Sequence, residues 1–224
     1  IQEDCRCARI ILAPNHHFLQ KETLPGLTSL PAVWPEPADE PATPGPLALI
    51  QYTSGSTSNS KGVMVSQRAV LANIDAFAPN MCLGSDTIFS SLMPLFHDMG
   101  LVGFGLAPLL LGKPLVLYRQ EALSLFEWLD GISAHRVTHT GGSDSLLRIA
   151  CRVVGDPTKY DLSSLRMLVC GSEPILGSTL EAFGAKFQAA GAICPAYGMA
   201  ELTLCATAAR VGEPWRRDAQ GHVS

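Results

Sequence analysis

The stretch that most constrains this chain lies between Tyr52 and Val63. It reads Thr53-Ser54-Gly55-Ser56-Thr57-Ser58-Asn59-Ser60-Lys61-Gly62, entered from the apolar run Leu47 to Tyr52. Small residues let a backbone curl so that successive N–H groups face one anion. The hydroxyls add donors, and Lys61 adds a point charge. That chemistry suits a polyphosphate. It is not a Walker A loop, which needs glycine before the lysine and Ser or Thr after it. Here Ser60 precedes Lys61 and Gly62 follows. A polar surface turn is the plain alternative.

Around this loop the chain alternates strand and helix signals. The runs 47–52 and 62–65 read as flanking strands, and Ser66 reads as the N-cap of a helix reaching about Ala78. Further strands are expected over 87–92, 114–118, 136–139, 165–170 and 193–197. Helices are expected over 98–111, 123–134, 143–154 and 178–190, and a hairpin opens near 202–206. This order predicts the α/β class, with largely parallel sheets flanked by helices and ligands at the carboxyl ends of strands. Ala8 to Leu12 reads as an earlier strand. Residues 31–46 hold six prolines and form an extended connector. Three parts follow: 1–46 with the connector, a core over 47–211, and a polar tail over 212–224.

Three more stretches fall just after expected strands. In Met93-Pro94-Leu95-Phe96-His97-Asp98-Met99-Gly100, two polar residues interrupt an apolar run. His97 could be a satisfied structural histidine, and Asp98 could cap the following helix. In Val169-Cys170-Gly171-Ser172-Glu173-Pro174, Gly171 permits close backbone approach and Pro174 opens the next helix. An ordinary strand–helix turn would read the same way. In Pro195-Ala196-Tyr197-Gly198-Met199-Ala200-Glu201-Leu202-Thr203-Leu204, an aromatic face could stack on a base. Its carboxylate could hold Mg²⁺, which prefers oxygen ligands and keeps waters. A plain Tyr-Gly turn with a surface glutamate would read the same way.

Together these stretches resemble the adenylate-forming superfamily. The first is similar to that family's phosphate-binding signature, Thr-Ser-Gly-Ser-Thr-Gly-x-Pro-Lys-Gly. It matches at Thr53 to Thr57, Lys61 and Gly62, and departs at Ser58 and Ser60. The His97-Asp98-Met99-Gly100 form resembles the fatty-acyl-AMP ligases, as does Tyr197-Gly198-Met199-Ala200-Glu201. The Gly171-Ser172-Glu173-Pro174 segment is similar to a Gly-Ala-Glu-Pro element that walls the adenine pocket. The four stretches share the family's order, and the block Tyr160 to Arg166 is similar as well. The resemblance covers nearly the whole chain and implies part of the N-terminal domain of such an enzyme, with 47–211 as its ATP- and acyl-binding core.

The resemblance also implies roles. Thr53, Ser54, Gly55, Ser56, Thr57 and Lys61 would cradle the ATP phosphates. Gly171, Ser172, Glu173, Pro174, Tyr197 and Gly198 would bind the base. Glu201, with Thr57, would hold Mg²⁺, and His97 would face the carboxylate, so that His97, Lys61 and Glu201 form the catalytic set. The implied reaction is ATP-dependent activation of a fatty or other carboxylic acid as acyl-AMP, followed by transfer to a carrier-protein phosphopantetheine thiol. An acyl-CoA ligase, an amino-acid adenylation domain and a catalytically silent binding module are the alternatives. Gly141-Gly142-Ser143-Asp144-Ser145 lacks the last glycine of a nucleophile elbow and matches a segment lining the acyl pocket. Asp144 reads as a helix-start acid.

Composition excludes some classes. A net charge of −4 speaks against nucleic acid, and no run of 18 apolar residues suggests a membrane span. With 224 residues, 47 % of them hydrophobic, the chain can bury a sizeable core. Seven cysteines at irregular spacing point to reduced thiols and a cytoplasmic setting; Cys5-Arg-Cys7 lacks a second pair at zinc-site spacing. The chain starts without methionine and ends on polar residues. A piece of a longer enzyme is therefore expected, one that does not turn over by itself.

Overall fold

The computed structural model describes residues 10–12, 27–29, 47–53, 61–118 and 125–223. The chain divides into two compact units, Ile1–Thr43 and Pro44–Ser224. In the first, β1 (Ile10–Leu12) pairs in parallel with β2 (Leu27–Ser29).

The second unit opens with an antiparallel hairpin of β3 (Leu49–Thr53) and β4 (Lys61–Val65). It is a separate two-stranded sheet, so the strands flanking the hydroxyl-rich loop do not join the main sheet. Helix α1 (Gln67–Phe77) follows, capped by the Ser66 hydroxyl, which accepts from the Ala69 N–H at 3.1 Å. Val70 and Ile74 bury its apolar face with Val65 of β4.

The main sheet has six strands in the order β10-β9-β8-β7-β5-β6. These are β5 (Phe89–Ser91), β6 (Leu115–Leu117), β7 (His139–Gly142), β8 (Met167–Cys170), β9 (Ile193–Gly198) and β10 (Cys205–Ala208). All neighbours run parallel except β10, which returns antiparallel to β9. The mainly parallel α/β sheet flanked by helices is thus the expected class.

Both faces of this sheet are covered, which is why β8 is apolar throughout. Side chains alternate along a strand. Leu168 and Cys170 enter a core with Trp128, Leu129 and Ile132 of α3 (Leu125–His135), Leu147 of α4 (Asp144–Val153), and Leu180 and Phe183 of α5 (Gly177–Phe187). Met167 joins a second cluster with Met81, Phe89, Met99, Phe104 and Cys194. The Trp128 indole N–H donates to Thr140 Oγ1 at 2.9 Å, so the largest core side chain leaves no polar atom unpaired.

Three local expectations are corrected. The helix over 98–111 is a π-helical segment, Met99–Leu106, running into the short α2 (Ala107–Leu110). The Ala107 N–H reaches back five residues to the Val102 carbonyl, and Pro108 has no N–H to restore the narrower winding. The strand at 136–139 begins instead at His139, because Arg136 ends α3 with φ 51° and Val137 N–H still bonds Ile132. The segment read as a polar tail folds back. Val223 N–H donates to Ile175 O and Gly177 N–H to Gly221 O, while Trp215 packs on the main core. The start of the 8–12 strand, the 13–26 stretch and the 31–46 connector lie outside the described residues.

Candidate active site

His97 sits on the connection between β5 and the π-helical segment. Its Nδ1 lies 2.7 Å from Asp98 Oδ1, and that oxygen also accepts from the Met99 N–H at 2.7 Å. Asp98 therefore caps the helix and pairs with the imidazole at once. The hydrogen bond with Asp98 raises the His97 pKa above the ordinary histidine value, against a partial burial that pulls it down. Nδ1 is occupied, so Nε2 is the ring atom able to meet a ligand. Gly100 makes this turn possible: a Cβ there would stand 2.1 Å from the Pro94 carbonyl oxygen.

The carboxyl ends of β8 and β9 supply the facing wall. A Cβ on Gly171 would meet Ala196 O at 3.0 Å, so glycine lets the two strands stay close as they leave the sheet. Ser172 follows at φ 71° and donates from Oγ to Met99 Sδ at 3.3 Å, tying this wall to the helix behind His97. Gly198 closes the β9–β10 turn, where a Cβ would lie 1.7 Å from Leu204 O. Glu173 turns its side chain away: Oε1 accepts from the Ser145 N–H and Oε2 from the Ser145 hydroxyl, at the start of α4. Burial alone would raise the Glu173 pKa, but these Ser145 donors outweigh it and hold the carboxyl below its usual range.

Between these walls lies a cavity of about 180 Å³. His97, Asp98, Gly171, Ser172, Tyr197 and Gly198 line it, and Met99, Phe104, Met167, Phe77 and Met81 give it an apolar body. A second, wider cleft adjoins it through Ser172, Ala196, Tyr197 and Gly198 and is lined further by Glu173, Pro174, Trp215 and Arg216. Tyr197 lines both and is 62 % exposed, with its ring free to meet a ligand.

The structure thus brings His97, Gly171, Ser172, Tyr197 and Gly198 to one cavity and Glu173 and Pro174 to its neighbour. Thr53, Lys61 and Glu201 line neither. Thr53 and Lys61 face each other at the open end of the β3–β4 hairpin, and Ser54, Gly55, Ser56 and Thr57 lie outside the described residues. The hairpin is nonetheless moored to the site. Gln51 of β3 donates from Nε2 to Phe96 O at 2.7 Å, one residue before His97. The turn Ala200–Leu202, which carries Glu201, packs against both β3 and β4.

The sequence profile of the AMP-binding enzyme family matches residues 2–223. The chain belongs to that family. It is 39 % identical over 171 residues to the medium-chain-fatty-acid–[acyl-carrier-protein] ligase TtuA of Teredinibacter turnerae, covering 73 % of this chain and 27 % of that protein. It is 36 % identical over 197 residues to the ligase of the same description, JamA, of Moorena producens, covering 84 % of this chain and 33 % of that one. The fatty acyl-adenylate ligase of L. pneumophila, solved with acyl adenylate and pyrophosphate, superposes with a TM-score of 0.71 at 31 % identity, over 79 % of this chain and 33 % of that structure. The chain therefore spans about a third or less of these relatives.

Within this AMP-binding fold, two polar side chains were not singled out by sequence. Asn73 of α1 donates from Nδ2 to Cys205 O at 2.9 Å and Leu202 O at 3.3 Å, and its Oδ1 accepts from Cys205 N–H at 3.0 Å. It clamps the turn that carries Glu201. Gln51 is buried in β3 between Ile50 and Tyr52, and that lone polar residue inside an apolar run was its only signal. Asp144 opens α4, nearly fully buried; it accepts from Leu176 N–H at 3.0 Å and pairs with Arg148. The described cysteines are all free thiols, with burial pushing Cys170 and Cys194 up to about 12. No helix among the described residues is long and apolar enough to cross a membrane.

Proposed function

We propose that this chain is part of a fatty-acyl-AMP ligase that works in the cytoplasm. The observation that carries the reading is the pairing of His97, held by Asp98, with an apolar cavity that opens beside the Tyr197 cleft. An acyl chain fits the apolar body and leaves its carboxylate beside His97. An adenine fits the adjoining cleft against Tyr197 and the 172–174 backbone. Carboxylate and α-phosphate then meet at the rim the two spaces share.

In the first half-reaction a carboxylate oxygen forms a bond to the α-phosphorus of ATP. The α–β phosphoanhydride bond breaks, and pyrophosphate leaves with that electron pair. In the second, the phosphopantetheine thiol of an acyl carrier protein gives up its proton and attacks the acyl carbonyl; AMP leaves. Such chemistry depends on positioning and on charge stabilisation. Protonated His97 would neutralise the carboxylate as it docks. Thr53, Ser54, Gly55, Ser56, Thr57 and Lys61 would cradle the β- and γ-phosphates. Mg²⁺ binds proteins through one or two carboxylates plus substrate phosphates, and the exposed Glu201 fits that mode, with Thr57 as the second residue the family resemblance implies. When bound, the metal would offset phosphate charge.

The test uses the full-length protein. Lys61→Ala weakens ATP binding by roughly 1–3 kcal/mol, as for a charge-assisted contact. Unchanged ATP affinity removes the phosphate-loop assignment. Fatty-acid-dependent ATP–pyrophosphate exchange tests the first half-reaction, and acyl transfer to carrier protein against free coenzyme A decides the acceptor.

A further inference from the structure

The apolar cavity has a built end. β8 runs along it, from Met167 at its start to Gly171 just past its end, where Ser172 Oγ meets Met99 Sδ at 3.3 Å, two residues beyond His97. From Met167 to Gly171 the strand rises ~13 Å at about 3.3 Å per residue, the extended length of roughly ten methylenes. At the Met167 level the cavity meets the turn Ala78–Met81, which contributes Asn80 and Met81. Met81 is 3 % exposed, so its side chain is committed to the interior.

That turn is held from behind by a buried histidine. His139 stands opposite Met167 in the β7–β8 register and is 1 % exposed. Its Nε2 lies 2.5 Å from the Met81 carbonyl oxygen, so Nε2 carries a proton and donates. Its Nδ1 lies 2.7 Å from Thr138 Oγ1. The ring packs on Phe89, centroids 5.0 Å apart. No site role in the sequence reading uses His139. Its two ring nitrogens bind the wall of the cavity to the central sheet.

We infer that Met81 and Met167 form the length stop of the acyl cavity, and that His139 is the positioning residue that fixes it. This rests on the proposed acyl-AMP ligase reading. The preferred acid is then a saturated chain of about eight to ten carbons, the length that fits between the His97 level and the stop. Methionine suits such a wall because its unbranched thioether fills irregular space.

The experiment measures ATP–pyrophosphate exchange by the full-length protein over saturated acids from six to sixteen carbons. Calorimetric binding of octanoate, decanoate and palmitate runs alongside. Met81→Ala moves the optimum to longer acids by about two to four carbons, the reach of the removed thioether. Met167→Phe moves it to shorter ones. His139→Leu broadens the profile toward longer chains, and His139→Gln, which keeps a donor near Nε2, retains the wild-type profile. Exchange that persists with an unmoved profile in all variants overturns the stop and leaves the ligase reading intact. Absent exchange with a binding preference that moves as stated keeps the stop and overturns the ligase reading. No carboxylate binding by the wild-type protein overturns both.

Discussion

Replacing Asn73 by alanine removes three hydrogen bonds from one turn. Its Nδ2 donates to Cys205 O and Leu202 O, and its Oδ1 accepts from Cys205 N–H. Each neutral hydrogen bond contributes about 0.5–1.5 kcal/mol net. The site is only partly buried and water can replace some partners, so the expected loss is about 2 kcal/mol rather than the full sum. The turn keeps its own backbone bonds, Met199 N–H to Leu204 O and Thr203 N–H to Ala200 O, but it also holds Thr203 at φ 75°, a backbone state that disfavours side chains with a Cβ branch. Urea unfolding of the full-length protein reads the stability. Asn73→Asp keeps the acceptor for Cys205 N–H but loses both donors and faces two carbonyls, so it lies at or below Asn73→Ala. If Glu201, which rides on this turn, has the proposed metal role, exchange activity also falls by roughly 10–100-fold, with fatty-acid binding nearly unchanged. An alanine variant within 0.5 kcal/mol of wild type, at full activity, would refute the clamp.

Further outcomes follow from the geometry. Gly198→Ala forces a Cβ onto Leu204 O and should destabilise by about 2–4 kcal/mol, and Gly100→Ala by a similar amount at Pro94; unfolding midpoints equal to wild type would contradict the close approaches. Asp98→Asn should lower the His97 pKa, read by NMR of the labelled ring. A raised histidine pKa gives stability that is full below the unfolded-state value and lost as pH rises through the folded one, so the substitution should cost more in mild acid than in mild base. His139 has the opposite sign: burial depresses its pKa, so its contribution is full above the unfolded value and is lost as pH drops from there through the folded one. Native thiol labelling mapped by mass spectrometry should find exposed Cys82 modified well before buried Cys170 and Cys194; equal rates would contradict their burial.

Much of the site was legible because its residues are locally constrained. Gly100, Gly171 and Gly198 stand where the backbone passes within reach of another carbonyl, and a side chain there has nowhere to go. Ser66 declared its helix through a hydroxyl three residues ahead of the N–H it caps. The π-helical winding was not legible, since Gly100 and Pro108 in an apolar run also suit an ordinary buried helix. Nor was the docking of 212–223, whose polar composition hides backbone bonds to Ile175 and Gly177.

The sequence by itself determined the strand–helix alternation, the class of the fold and the order of its four polar stretches. Those follow from local periodicity and from turn residues, each within a dozen positions of chain. Tertiary structure alone decided which of them share a cavity: His97 with Gly171, Ser172, Tyr197 and Gly198, while Glu173 and Pro174 face the neighbouring cleft and Thr53, Lys61 and Glu201 lie outside both. It also decided what holds them, through Gln51 to Phe96, Asn73 to Cys205 and His139 to Met81. These bonds join residues 45, 132 and 58 positions apart. Their partners are backbone carbonyls, which every residue carries, so no side-chain pattern in the sequence marks where such bonds end.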